Sequence, residues 1–138
     1  MSKPLIIAVD FDGTIVAHRF PEIGPAMPGA IETLKALQAA GHKIVLNTCR
    51  EDGGGRKRRY LTEAVDWLRE RGIVPRSVNE NHRDDDFREE SLRRKVYANV
   101  YVDDLNLGGF PGWATVARKL RVRVPGLTHA PDSEPALS

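Results

Sequence analysis

Cysteine is almost absent from this chain: Cys49 is the only one among 138 residues, so no intramolecular disulfide can form. Neither charge sign dominates. The 21 Lys and Arg against 19 Asp and Glu leave a net charge of +2, and composition alone does not predict a nucleic-acid partner. No apolar stretch approaches the roughly 20 residues of a membrane span. The N-terminus lacks the basic, then apolar, then small-residue order of a secretory leader, since its first apolar run ends in two aspartates. Internal repeats are missing as well. The expectation is one domain located in the cytoplasm, long enough for a real core but too short for two.

That first apolar run is the most informative stretch of the chain. Ile6-Ile7-Ala8-Val9 leads into Asp10-Phe11-Asp12-Gly13-Thr14. Read as a strand, its period of two puts Asp10 and Asp12 on the same side. Two carboxylates that close repel each other unless a cation intervenes or one is protonated. Mg²⁺ would relieve this, because it takes oxygen ligands and binds through one or two carboxylates plus a substrate phosphate. The plain alternative is an Asp-Gly turn with both carboxylates in solvent.

The pattern beyond is alternating. Residues 5–9 read as a buried strand, and 16–29, with Pro21, Gly24, Pro25, Pro28 and Gly29, as a loop or short flap. Residues 30–40 read as a helix with Ile31, Leu34 and Leu37 on one face, stopped by Gly41. A strand over 43–47 ends at Thr48, and after Gly53-Gly54-Gly55 a helix spans about 59–71. A short strand is expected at 77–79, a charged loop or frayed helix at 82–90, a strand over 96–102 ending at Asp103-Asp104, and a helix over 113–120. Val122 and Val124 fit a short edge strand. The Pro-, Ser- and Ala-rich tail from Pro125 reads as disordered, leaving residues 1–124 as the domain. Strands alternating with helices predict an α/β fold with a central parallel sheet, whose ligands bind at the carboxyl ends of the strands.

The order Asp10-Phe11-Asp12-Gly13-Thr14, then Thr48, Lys95 and Asp103-Asp104, resembles that of the haloacid dehalogenase (HAD) superfamily, whose phosphatases carry these motifs in this order. The resemblance spans about residues 5–124 and is nearest to small members without a large cap domain. It implies a Rossmann-like three-layer sandwich and a Mg²⁺-dependent phosphohydrolase acting on a phosphomonoester. Asp10 would be the nucleophile that forms an aspartyl-phosphate, and Asp12 the general acid and then the base for water. Mg²⁺ would be held by Asp10, the backbone carbonyl of Asp12 and the Asp103-Asp104 pair, with Asp104 the direct ligand and Asp103 outside it. Thr48 and Lys95 would hold the phosphoryl group, with Arg50 and Arg56 as further substrate contacts.

Each role has a plain competitor. Thr48 alone would only cap a strand end, Lys95 belongs to the basic run Arg93-Arg94-Lys95, and Asp103-Asp104 fits an ordinary turn. The Arg56-Lys57-Arg58-Arg59 cluster either receives an extra anionic group of the substrate or is a solvated loop. His18 and Arg19, and the group His82, Asp84, Asp85 and Asp86, read as surface, and Trp67 and Trp113 as core. Neither expected cap position has room for a folded cap, so the site should be open unless another subunit of a homo-oligomer covers it. Open sites suit nucleic-acid ends or phosphoproteins, and an oligomer would suit a small metabolite. The rival readings are a non-catalytic receiver-type module, whose motif order does not match, and a catalytically weak protein on the same fold that binds phosphate or nucleic-acid ends.

Overall fold

The computed structural model describes residues 3–53, 57–80 and 95–127. Four parallel strands, β1 (Ile6–Val9), β2 (Lys43–Leu46), β3 (Ser77–Val78) and β4 (Val100–Val102), stand in the order β3-β2-β1-β4. Three helices, α1 (Ala30–Ala39), α2 (Tyr60–Glu70) and α3 (Trp113–Lys119), accompany them in a Rossmann-like α/β sandwich. This is the expected fold class.

β1 is central because it is apolar throughout, with Ile7, Ala8 and Val9 buried. It pairs with β2 from Ile6↔Lys43 to Val9↔Leu46, and on its other side with β4 from Ile7↔Val100 to Val9↔Val102. The chain therefore builds outward from β1 through β2 to β3, then returns to lay β4 on the opposite flank. That reversal makes a switch point at the carboxyl ends of β1 and β4, where connections leave in opposite directions and open a crevice.

Helix α1 buries Ala30, Thr33, Leu34 and Leu37, a stripe at helical spacing that lies slightly to one side of the expected face. It stops where the His42 N–H donates to the Leu37 carbonyl and Gly41, at φ 94°, takes the left-handed turn. Helix α3 ends in the same motif, with the Val122 N–H on the Ala117 carbonyl, but there Arg121 holds the left-handed position at φ 59°. In α2 the first turn is capped from a distance. Asp52 accepts from the Leu61 and Thr62 N–H groups at 2.9 and 3.1 Å, and the Thr62 hydroxyl holds its carboxyl below the ordinary value.

Three expectations need correction. Val122 and Val124 form no strand: Arg121 turns the chain, and the Leu127 N–H donates to the Val124 carbonyl in a further turn. The fourth strand starts at Val100, because Asn99 already pairs with Ile6 through both its backbone N–H and its side-chain oxygen. The chain also stays packed past Pro125. A Cβ placed on Gly29 would meet Leu127 Cδ1 at 2.5 Å, so Leu127 lies against the start of α1. Residues 81–94 and 128–138, with the His82 to Asp86 group, Arg93 and Arg94, lie outside the described residues. Among the described residues, no helix is long and apolar enough to cross a membrane.

Candidate active site

Asp10 follows β1 directly, and its N–H donates to the Val102 carbonyl, which ties it to the end of β4. Asp103 and Asp104 follow β4. Parallel strands in register thus deliver carboxylates to one place, and oxygens of Asp10, Asp103 and Asp104 all lie within 4.8 Å of one another. Burial, a hydrogen bond with Asp104 and the charge of Asp103 push the Asp10 carboxyl up from 3.8 to about 7. The cluster is charge-frustrated as it stands. A hard divalent cation with oxygen ligands fits such a donor set, and neutralises what the protein leaves uncompensated.

The turn after Asp12 is built for this approach. Gly13 has φ 88°, and a Cβ there would sit 2.2 Å from Asp104 Oδ2. Only glycine allows both the left-handed backbone and the close carboxylate. Thr14 closes the floor: its hydroxyl donates to Asp10 Oδ2 at 3.3 Å, and its carbonyl accepts from the buried Trp113 indole at 2.8 Å. Sequence pattern gives Thr14 no role of its own, although it stands in the first motif. Asp103 Oδ1 accepts from the Leu105 N–H at 2.9 Å, so part of its capacity is spent inside its own turn.

Asp12 does not join the acidic cluster. Arg50 Nε donates to its Oδ2 at 2.8 Å and Nη2 to its Oδ1 at 2.9 Å, in a two-pronged pair. The Arg50 side chain is 1% exposed. The role expected for it is a substrate contact, whereas the hydrogen bonds its side chain makes here go to Asp12, Glu22 and Tyr60. Thr48 lies at the end of β2, its hydroxyl accepting from the Arg50 N–H at 3.1 Å while its own N–H donates to Asn79 Oδ1 at 2.7 Å. Asn79 sits at φ 56°, a conformation asparagine tolerates better than most residues. Lys95 is exposed, with its ammonium 4.6 Å from the centre of the Tyr101 ring, and it makes no described contact with the carboxylates.

Arg56 lies outside the described residues. Of its neighbours, Arg58 is engaged by Glu63 at 2.7 Å and by Glu22 at 3.0 Å, which weakens the expectation of a free basic loop. A cleft of about 700 Å³ lined by Met27, Phe110, Trp113 and Leu127 includes none of Asp10, Asp12, Asp103 and Asp104. Convergent chemistry locates the candidate site here, and concavity does not. His18 and Arg19 are exposed, as expected.

No family model matches the chain, and no curated protein matches it. A solved structure of a conserved protein coded by a locus from Bacteroides thetaiotaomicron is similar to it, with 39% identity and a TM-score of 0.70. The likeness covers 86% of this chain and 91% of that one.

Proposed function

The chain belongs to one family with this conserved Bacteroides thetaiotaomicron protein, and we propose that it is a Mg²⁺-dependent phosphohydrolase of HAD type. The observation that carries this reading is the convergence of Asp10, Asp103 and Asp104 at the switch point of a parallel sheet. Mg²⁺ held by Asp10, Asp104 and the Asp12 carbonyl would neutralise the carboxylates and the phosphate they would otherwise repel.

Asp10 attacks phosphorus as its carboxylate, forming an acyl–phosphate bond as the ester oxygen leaves. The Thr14 hydroxyl, donating to Asp10 Oδ2, orients that carboxylate. Asp12 handles the protons, toward the leaving group first and then from the water that cleaves the aspartyl-phosphate. Arg50 takes one acceptor site on each Asp12 oxygen, which leaves a lone pair on each for the proton. Thr48 supplies a hydroxyl at the neighbouring strand end, and Lys95, whose ammonium lies over the Tyr101 ring, supplies positive charge for a phosphoryl oxygen.

Phosphate release from an aryl phosphate tests the reading directly. Wild-type protein should release phosphate with Mg²⁺ and stop with EDTA, and acid quench should trap the phosphoryl group on Asp10. Binding of phosphate or nucleic-acid ends with no release from any phosphomonoester would replace hydrolysis with a binding function. A screen across sugar phosphates, nucleotides and nucleic-acid ends identifies the substrate.

A further inference from the structure

We propose that Arg50 is the positioning residue of this site: it holds the Asp12 carboxylate and the 20–22 stretch together as one wall beside the acidic cluster. What that wall does for turnover rests on the phosphohydrolase reading, while the wall itself rests only on the contacts of Arg50.

Those contacts are extensive. Besides its two bonds to Asp12, Arg50 donates from Nη2 to the Glu22 carbonyl at 3.1 Å and from Nη1 to the Tyr60 carbonyl at 3.3 Å. Its guanidinium lies between two rings, 5.3 Å from the centre of Phe11 and 5.0 Å from that of Phe20. Phe20 in turn packs edge-to-face with Tyr60, their ring centres 5.2 Å apart. One buried side chain thereby joins the turn after β1, the segment leading to α1, and the first residue of α2. A planar fork with fixed donor directions can serve all of these at once; a lysine ammonium keeps the charge but not the geometry.

The same segment is anchored at its base. The Ala17 N–H donates to the Pro25 carbonyl and the Met27 N–H to the Ile15 carbonyl, both at 2.8 Å. Between those bonds, residues 18–24 project as a loop, and Arg50 grips it at Phe20 and Glu22. In the proposed reaction Asp12 serves the leaving group, so the loop gripped together with Asp12 would stand on that group's side of the site. Arg50 sits behind this wall and never touches substrate.

The test uses the full chain with Mg²⁺, an alkyl phosphate and an aryl phosphate. Arg50→Lys should lower kcat on the alkyl ester about 100-fold, since a misplaced Asp12 no longer serves the leaving group. KM should stay within about threefold, because no substrate contact is lost. The aryl ester, which needs little protonation, should lose at least about tenfold less. Added guanidinium should restore part of the rate of Arg50→Ala. Amide hydrogen exchange over residues 17–27 should also quicken in Arg50→Lys, whether or not the protein turns over. Equal kcat losses on both esters, or a rise in KM alone, would overturn the proposal. Should Arg50→Ala fail to fold, Arg50→Lys still decides. A wild-type protein inactive on both esters sinks the phosphohydrolase reading; unchanged exchange over 17–27 in Arg50→Lys sinks the wall.

Discussion

Asp10 and Asp12 are the same residue type, two positions apart at the end of one strand, yet their surroundings answer their charge in opposite ways. Asp10 stands among further carboxylates, half-buried and with its carboxyl pushed up to about 7. Asp12 faces away into a buried arginine that meets both of its oxygens. One aspartate is left electrostatically unfinished by the protein, and the other is completed by it. An unfinished site is open to a cation, whereas a completed one is held in a fixed orientation by the fold. That contrast yields predictions of opposite sign.

The largest effect is expected at Asp10. Asp10→Asn should reduce phosphate release on the order of 10³-fold or more, the scale at which removing a nucleophile acts. The same variant should melt no lower than wild type in metal-free buffer, because it removes a repelling charge. A clear loss of stability there would show that the carboxylates are not in conflict. Asp12→Ala tests the other half. It leaves the Arg50 guanidinium buried without its counter-charge, and should cost about 3 kcal/mol in denaturant unfolding. Melting unchanged from wild type would mean that the pair is looser than its distances indicate.

Gly13→Ala should follow in size. Its Cβ would collide with Asp104 and hold a backbone angle unfavourable to alanine, so Mg²⁺ affinity and activity should fall together. Mg²⁺ affinity equal to wild type would show that the acidic turn yields easily. A smaller effect concerns pH. A folded-state carboxyl raised above its ordinary 3.8 adds stability at low pH and loses it as pH rises toward about 7. Metal-free protein should therefore draw less stability from this cluster at pH 8 than at pH 5. Added Mg²⁺ should raise Tm more at pH 8, because it replaces the missing protons. An equal rise at both values would remove Asp10 from the metal site. Arg58→Gln is expected to move Tm least of all, since its pairs with Glu22 and Glu63 are exposed and screened by solvent.

Much of the fold is legible in local sequence pattern. The apolar run into Asp10, the Gly41 stop and the strand ending at Asp103 each follow from it, and each stands where expected. Val122 and Val124 mislead because alternation marks a strand only where a partner edge is free to pair with it, and here the chain turns away at Arg121. The acidic cluster is legible as to residue, since strand ends in a parallel sheet share one edge. Arg50 is not legible as to role. Beside Thr48 it reads as a cation at a strand end, and nothing local says that Phe11, Phe20 and the Glu22 carbonyl close over it. Thr14 is hidden for a similar reason, because its contact with Asp10 depends on how sharply Gly13 turns.

By itself the sequence determined the alternation of strands and helices, the apolar centre of β1, and which aspartates stand at strand ends. These follow from short-range periodicity and from backbone limits that each residue carries with it. Only the tertiary structure decided that β4 lies beside β1, bringing Asp103 and Asp104 to Asp10, and that Asp12 turns instead to Arg50. Charge pairing depends on distance and burial, and both arise only when segments far apart in the chain pack together.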